Sequence, residues 1–485
     1  MTISGSLSNA LSGLIAASRA AEVVSSNVAN AMTEGYARRE LDLSARSLAG
    51  IGTGVMVDGV SRVVDKVVLA DRRLADASAA AADLHAGFYT RLEDSIGLPE
   101  EGASLSGRMA AFEAALADAA ARPDSDTRLM TLVDTAGALT GQFNAISTDI
   151  QASRMEADAQ IAAQVDLLND RLAKVADLNA SIRNYQGQGQ DTAALMDQRQ
   201  AIVDDIAQVL PLRVIERDHG QIAIYTQAGA ALIDGRPSTF SFQQTAMIVP
   251  EMSIGTGALS GLHLNGQPIG TTGAYSPIAG GSLSALFEQR DDLAPAAQAE
   301  LDALARDLID RFQNSGIDPS LLPGNAGLFT DGGAVFVAAD EIGVAGRLSL
   351  NALVNPSQGG APWRLRDGLG AAAPGPAGNN GLLLAMSDAL AQTRVPASGQ
   401  FTGVARSASA LGAEFLSWIS STRQSREADQ SFALAKADTL KSAELADGVD
   451  TDAEMQTLLV IERAYAANAR VIKAVEDLLQ SLLSI

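Results

Sequence analysis

The two ends of the chain carry heptad patterns, and this feature limits the possible folds more than any other. Near the N-terminus the two phases of the pattern are Leu7, Leu14, Ala21 and Val28, and Ala10, Ala17, Val24 and Ala31. Near the C-terminus they are Leu458, Tyr465, Ile472 and Leu479, and Ile461, Asn468, Val475 and Leu482. Apolar residues at this spacing predict helices that pair along one face. A single such helix would fit any globular core, but two at opposite ends favour pairing with each other or with neighbouring subunits.

Local signals place the ends of these helices. Gly35, which follows Thr33, suits a helix C-cap. Thr451 and Glu454 form a possible capping box at the start of the last helix. Asn468 is the one polar residue in the C-terminal seam, where a buried amide would fix the register of a helix pair. We expect both ends to be poorly ordered in the free subunit and to fold on assembly, because such helices depend on packing for stability.

The middle of the chain begins as a helical region. Residues 67 to 122 are helix-rich, with a break near Gly97-Leu98-Pro99. From Asp126 a helical apolar pattern predicts an unbroken helix of about 58 residues, ~87 Å long at 1.5 Å per residue. The tract from Gly187 to Gln190 ends it, and a shorter helix follows to about Val209.

The remaining stretches are mixed. Residues 211 to 278 are predicted to be β-rich, beginning with a hairpin around Asp218-His219-Gly220. A helix follows from Gly281 to about Phe312. Residues 318 to 381 are rich in Gly, Pro and Asn, with strand candidates at Val335-Val337 and Leu348-Leu350. From Ser407 the chain is helical almost to Ala446.

These elements predict a mainly α, elongated, multidomain protein with a β-rich insertion and with its terminal helices paired like a coiled coil. We expect three domains. Residues 1–66 with 437–485 form a terminal helical assembly domain, 67–210 with 279–436 an elongated helical domain, and 211–278 a β-rich inserted domain.

Composition narrows the possible functions. Aromatic residues make up only 4% of the 485-residue chain, so the cores must consist of aliphatic side chains. The net charge of −22 and the scattered lysines argue against nucleic acid as a partner. The absence of cysteine excludes disulfides, thiolate catalysis and Cys-ligated zinc. We find no apolar run of ~18 residues, so we expect no membrane insertion. The N-terminus lacks the pattern of a secretory signal.

The sequence gives no sign of catalysis. It lacks a nucleophile elbow, a phosphate-binding loop and a His-Glu-x-x-His pair, and His85, His219 and His263 lie in separate segments. Gly50, Gly52 and Gly54 have the wrong spacing for a dinucleotide loop and predict a turn before a strand. The acidic run that starts at Asp450 has Met455 where a calcium loop needs glycine. We therefore predict no enzyme activity, no cofactor and no metal site.

The N-terminal stretch resembles a known signature. Asn27, Asn30, Thr33, Gly35 and Tyr36 stand in SNVANAMTEGYARREL, which resembles the N-terminal motif of the flagellar rod, hook and hook-associated family. The closing stretch GVDTDAEMQTLLVIERAYAANARVIKAVEDLL is similar to the closing helix of the same family. Three internal stretches resemble the members that form the junction between hook and filament: GTGVMVDGVSRVVD, LMDQRQAIVDDIAQVLPLRV and GGSLSALFEQRDDLAPAAQAELDALARDLIDRFQ.

The resemblance implies a structural component of the bacterial flagellum. It implies a homo-oligomeric ring at the hook–filament junction, with hook protein below and a second junction protein above. It also implies an extracellular location, export through the flagellar type III channel without a cleaved signal peptide, and a cytoplasmic export chaperone on the C-terminal helix. Two alternatives remain open. The chain could be another axial protein, such as a hook or distal rod protein, or an exported adhesin that uses residues 211 to 278.

Overall fold

A computed structural model describes residues 3–33, 35–48, 51–273, 275–313 and 316–483. Over these residues the protein is mainly helical and carries a few small sheets, as predicted. The helices are α1 (Ile3–Ala29), α2 (Lys66–Ile96), α3 (Leu105–Ala121), α4 (Asp126–Gly187), α5 (Ala193–Val209), α6 (Ser282–Glu288), α7 (Ala294–Gln313), α8 (Val344–Arg347), α9 (Arg364–Asp367), α10 (Gly381–Ala391), α11 (Ala408–Ala446) and α12 (Thr451–Leu483).

The strands are short, and every pairing between them is antiparallel. They are β1 (Arg39–Leu48), β2 (Ile51–Arg62), β3 (Leu212–Glu216), β4 (Ile222–Thr226), β5 (Ala231–Asp234), β6 (Arg236–Pro237), β7 (Phe240–Ser241), β8 (Leu262–Leu264), β9 (Gln267–Ile269), β10 (Phe329–Asp331) and β11 (Leu348–Leu350). They form the sheets β1-β2, β3-β4-β5-β6, β7-β8-β9 and β10-β11. The hairpin predicted around Asp218-His219-Gly220 is confirmed as β3-β4.

The long helix predicted from Asp126 is confirmed. α4 has 62 residues, about 93 Å at 1.5 Å per residue. The side chain of Ser125 accepts a hydrogen bond from the backbone of Arg128 and caps its N-terminus. Because its buried residues recur every three or four positions along most of its length, one face of the helix packs against the rest of the chain along that length.

Two hydrophobic cores lie along α4. The first contains the α4 residues from Leu129 to Ile150, together with side chains of α2, α3, α7, α10 and α11. The second contains the α4 residues from Ala157 to Val175, together with side chains of α5, α6 and the strands that follow α5. These elements form the body of the protein, and α2 and α11 run antiparallel along it.

Most of the predicted element ends are confirmed. α2 ends at Ile96, where Gly97 has φ +78°, and Ser407 caps α11. The helix predicted from Gly281 to Phe312 is present as α6 and α7, joined by a π-helical turn at Gln289–Leu293.

Several local expectations were wrong. Residues 39–48 and 51–62 form the hairpin β1-β2, whose first strand was not predicted. The turn predicted at the glycines is wrong at Gly52 and Gly54, which lie inside β2, and Gly50 lies outside the described residues. Val335-Val337 is not a strand; the partner of β11 is β10. α1 ends at Ala29, so Gly35, with φ +77°, lies in the turn beyond it and is not its C-cap.

The predicted capping box at the start of α12 is also wrong, because Asp450 is the cap. Its Oδ1 accepts hydrogen bonds from the backbone N–H groups of Asp452 and Ala453 at 2.9 and 3.1 Å. Aspartate is among the best N-cap residues, and this arrangement places Thr451 at the first helical position. Glu454 is buried instead, 3.7 Å from the guanidinium of Arg38.

Candidate assembly surface

The terminal helices α1 and α12 pair with each other, as predicted. The buried apolar residues of α1 include Ala10, Ala17 and Val24, which are seven residues apart. At Gly13 the helices approach so closely that a Cβ would lie 2.7 Å from Nδ2 of Asn468. Because the buried side chains are small, the pair is close but removes little apolar area from water.

The predicted seam residues divide into three groups. Those half-buried are Leu14, Ala21, Leu458, Ile461, Asn468 and Ile472. Val475 is buried. Those exposed are Leu7, Val28, Tyr465, Leu479 and Leu482. Within the chain, the buried phase of α1 is therefore that of Ala10, Ala17 and Val24, and the role of the other phase between subunits stays a prediction.

Outside the seam, both helices expose large apolar side chains. On α1, Leu11 and Ile15 are 51% and 52% exposed. The exposed apolar residues of α12 outside the predicted seam are Met455, Leu459, Val460, Val471 and Leu478. Many large apolar side chains left exposed on two paired helices are typical of an interaction surface. We call these exposed apolar residues of α1 and α12 the outer face of the helix pair.

The motif that follows α1 forms a hydrogen-bonded turn around Asn27. The buried Asn27 side chain donates from Nδ2 to the carbonyl of Arg39 at 2.9 Å. Its Oδ1 accepts from the backbone N–H of Arg39 at 3.0 Å and from the Tyr36 hydroxyl at 2.9 Å. Asn30 donates to the carbonyl of Ser26 at 2.9 Å and satisfies the end of α1. Asn27 therefore pairs with the backbone of β1 as a strand would, and fixes the hairpin to α1.

The hairpin β1-β2 also lies against α1 further along. The backbone N–H of Val55 donates to Oγ of Ser12 at 3.2 Å. Gly54 has φ +109°, and a Cβ there would collide with the same Ser12 side chain. Glycine is required at this position both by the backbone conformation and by the close approach.

An ionic joint connects the hairpin to the helical body. Asp197 on α5 accepts hydrogen bonds from Nε of Arg62 at 2.7 Å and from Nη2 of Arg39 at 3.2 Å. Arg62 also donates to Oε1 of Gln200 at 2.7 Å. Sequence analysis missed this joint, because its partners are 135 residues or more apart and nothing in the local pattern links them.

A second ionic group lies where α2, α5 and α11 meet. Asp204 pairs with Arg72 at 2.7 Å and with Arg73 at 2.6 Å, and Glu444 also pairs with Arg72. Burial raises the pKa of Glu444 above its usual value, although Arg72 opposes the effect. These pairs tie the end of α11, which leads into α12, to the body.

The described residues contain no constellation that suggests catalysis. Nε2 of His85 lies 3.2 Å from Glu288, and this close imidazole lowers the pKa of that carboxyl group. His219 lies in a turn with φ 56° and His263 in β8, far along the chain from His85. Over the described ranges, His, Asp and Glu form no group of three that could hold a metal ion. None of the helices there combines the length and apolar character needed to cross a bilayer.

Comparison with protein families gives matches for both terminal helices and for much of the helical body. Residues 89–327 match the family described as "Flagellar hook-associated protein FlgK helical domain". Residues 7–36, which contain most of α1 and the motif that follows it, match "Flagella basal body rod protein". Residues 446–485, which contain α12, match "Flagellar basal body rod FlgEFG protein C-terminal".

Curated relatives agree with these matches. The chain is 27% identical over 290 residues to "Flagellar hook-associated protein 1" of Salmonella typhimurium, covering 54% of this chain and 51% of the relative. It is 25% identical over 285 residues to the Escherichia coli K12 protein of the same name, covering 54% and 52%. The Bacillus subtilis protein of that name is 23% identical over 240 residues, covering 47% of each chain. The chain thus spans about half the length of the curated relatives it matches.

One solved structure, the flagellar hook junction protein FlgK from Burkholderia pseudomallei, matches with a TM-score of 0.45 at 18% identity. The match covers 54% of this chain and 46% of that one. The terminal matches and the helical-domain match carry the assignment. The chain therefore resembles the flagellar rod, hook and hook-associated proteins at both ends, and residues 89–327 match the helical domain of the hook-associated type.

Proposed function

We propose that this protein is a structural component of the bacterial flagellum that joins hook to filament and assembles through its terminal helices. The named relatives support the junction role, since the three reported above are all called flagellar hook-associated protein 1. The observation that carries the assembly role is the outer face of the α1–α12 pair. A monomer gains nothing from exposing Leu11, Ile15 and the apolar residues of α12 to water, whereas packed subunits would bury them.

The mechanism follows from the small size of the seam. α1 and α12 bury mainly alanine and valine against each other, so the pair gains little from packing within one chain. Burial of the outer face against neighbouring subunits adds the missing apolar contact. The terminal helices therefore become stable in the assembled ring and stay weakly ordered in the free subunit, so that growth occurs by adding subunits to an existing end.

The domain division serves this arrangement. The terminal domain, residues 1–66 with 437–485, makes the contacts between subunits. The helical domain, residues 67–210 with 279–436, sets their spacing, and residues 211–278 form an insertion at the side of α4. The ionic joint at Asp197 and the pairs at Arg72 hold the terminal domain to the body.

The partners and location follow from the junction role. Hook protein lies on one side of the ring and a second junction protein on the other. The subunit is exported through the flagellar type III channel, reaches the extracellular flagellum, and is held before export by a cytoplasmic chaperone that grips α12. A helix with a large exposed apolar face needs a bound chaperone, since without one the helix would associate non-specifically with other proteins.

The test is electron microscopy of cells that lack this gene, with an assay for flagellin in the medium. We expect hooks without filaments, together with shed flagellin, because only the adaptor is missing. The wild-type gene supplied in trans is the control and should restore attached filaments. Absent hooks would instead place the protein in the rod or hook, and normal flagella would overturn the structural function.

A further inference from the structure

A cleft of about 310 Å³ opens where the start of α2, α5 and the hairpin β3-β4 meet. Apolar side chains such as Leu69, Val203 and Ile222 line it. Five cations also line it: Arg62, Lys66, Arg73, Arg199 and Arg213. In a chain with a net charge of −22, this concentration of positive charge is unusual.

Carboxylates of the chain neutralise three of these cations. Arg62 pairs with Asp197 at 2.7 Å, and Arg73 pairs with Asp204 at 2.6 Å. Lys66 pairs with Glu216 at 2.7 Å in an exposed contact. Arg199 and Arg213 make no ion pair with any of the described residues, so the cleft carries positive charge beyond what the fold uses.

Arg199 is the unusual member of the set. It is 7% exposed, and its Nη1 donates to two uncharged acceptors, Oδ1 of Asn179 at 2.8 Å and the carbonyl of Gly220 at 2.7 Å. Burial, with a further contribution from the charge of Arg62, lowers the pKa of Arg199 to about 10. A buried cation without a counter-ion is unfavourable in the isolated chain, and an anion that entered the cleft would relieve it.

The surface of the same chain offers a matching group. Phe432 on α11 is 75% exposed, and Asp429 lies about one helical turn before it. The Asp429 side chain is exposed and makes only a long ion pair, 3.8 Å, with Arg426. An aromatic side chain beside a carboxylate fits an apolar cleft with spare positive charge, since an aromatic anchor and complementary charge are what a protein interface uses.

This group does not reach the cleft of its own chain. Gln430, next to it, donates to Asp83 of α2 at 2.7 Å, and Asp83 lies nine residues beyond Leu74, the last α2 residue that lines the cleft. At 1.5 Å per residue the separation along α2 is roughly 14 Å, more than a phenylalanine side chain spans. A contact between patch and cleft therefore needs a second copy, and because the two surfaces differ, the contact is head-to-tail and repeats along a ring or helix.

We infer that the cleft is a docking site for a second copy of this chain, which inserts Phe432 and places Asp429 against the free cations around Arg213. The inference rests on the proposed function, since it assumes that copies of the chain lie side by side. It adds to the terminal helices a second contact between subunits, located in the helical body.

The absence of native cysteine makes a clean test possible. The double variant Arg213→Cys with Asp429→Cys is produced in cells that lack the native gene, and purified hook–filament structures are treated with a short bis-maleimide crosslinker. We expect a ladder of covalent oligomers of this chain in denaturing gels. The matched control is Arg217→Cys with Asp429→Cys, because Arg217 is exposed on the same hairpin but does not line the cleft. It should give several-fold less product.

The outcomes separate the inference from the proposed function. Attached filaments without a ladder would overturn the docking site and leave the junction role intact. Crosslinks to a different flagellar protein would overturn the second copy as the occupant. If the gene-deleted cells have normal flagella, the junction role itself fails, whatever the gel shows. A charge exchange, Arg213→Glu with Asp429→Arg, should restore the filament attachment that Arg213→Glu alone lowers, and failure to restore it would contradict the pairing.

Discussion

The helical body and the terminal domain of this protein are both rich in aliphatic residues but differ in what their side chains pack against. In the body, Phe112, Phe312 and Phe329 make edge-to-face ring contacts in the buried core between the helices. In the terminal domain, α12 has only two fully buried residues among those described, Glu454 and Val475. The body completes its core within one chain, whereas the terminal domain leaves most of its apolar surface for other chains.

This difference fits the proposed assembly. We expect the body, with its complete core, to be stable as a single chain. We expect the helix pair, which gains little by itself, to stay adaptable until neighbours supply the missing contacts.

The largest contrast should appear in amide exchange of the free subunit. Residues 7–31 and 458–482 should exchange orders of magnitude faster than the buried part of α4 around Leu139 and Leu172, because local opening of the terminal pair costs little free energy. Hydrogen exchange read by mass spectrometry measures this. Strong protection of both ends in the monomer would mean that the helices are already docked, and the comparison would fail.

The next contrast is between assembly and folding. Ile472→Asp should place an unpaired charge against the α1–α12 seam and cost several kcal/mol in the assembled state. Assembly should stop, while the circular dichroism and unfolding of the body stay unchanged. The matched control is Ala474→Asp, which adds the same charge at an exposed position two residues on. Normal assembly of the Ile472 variant would show that the seam is assigned incorrectly.

The reverse experiment uses the body. Phe112→Ala should lower the free energy of unfolding by about 3–5 kcal/mol, because it leaves a cavity beside Phe312 and Phe329. Trp418 packs against the same core, so its fluorescence reports the transition. Phe432→Ala, at an exposed position, should change stability by less than about 0.5 kcal/mol. Equal effects of the two changes would mean that the body lacks the complete core described above.

The smallest effect concerns pH and a buried carboxyl group in the body. Asp302 accepts hydrogen bonds from the backbone N–H groups of Gly343 and Ala345 at 2.7 and 2.8 Å, and burial raises its pKa to about 6. Since the folded state favours the protonated form, this stability is present at low pH and is lost as pH rises through about 6, by at most about 3 kcal/mol.

Comparison with Asp302→Asn isolates this contribution from the other carboxyl groups. The difference in unfolding free energy between wild type and variant should change between pH 4.5 and 7, in the sense that the wild type loses relative stability as pH rises. A difference that is constant with pH would contradict the shifted pKa.

The sequence predicted the parts of the fold that local pattern controls. α4, α5, α11 and the hairpin β3-β4 follow from apolar periodicity and turn residues, and so does the pairing of the two ends. The hairpin β1-β2 was missed, because the approach of Gly54 to Ser12 and the pairing of Asn27 with Arg39 are tertiary contacts. The cap at Asp450 was misassigned because the two neighbouring residues are both good caps and only geometry decides between them.

The assembly surface was predictable in outline and not in detail. The heptad pattern identifies both helices, but it does not say which phase faces the partner helix in the chain and which faces outward. In α1 that choice depends on Gly13, where the absence of a side chain lets Asn468 approach. The joint at Asp197 depends on arginines from a distant hairpin and has no local signal at all.

The length of α4 has a mechanical consequence. α4 contributes side chains to both cores, so the two cores are connected by one continuous helix and not by a loop. A torque applied to one end of the subunit is transmitted through the backbone hydrogen bonds of a single rod, which resist twisting far better than a loop would.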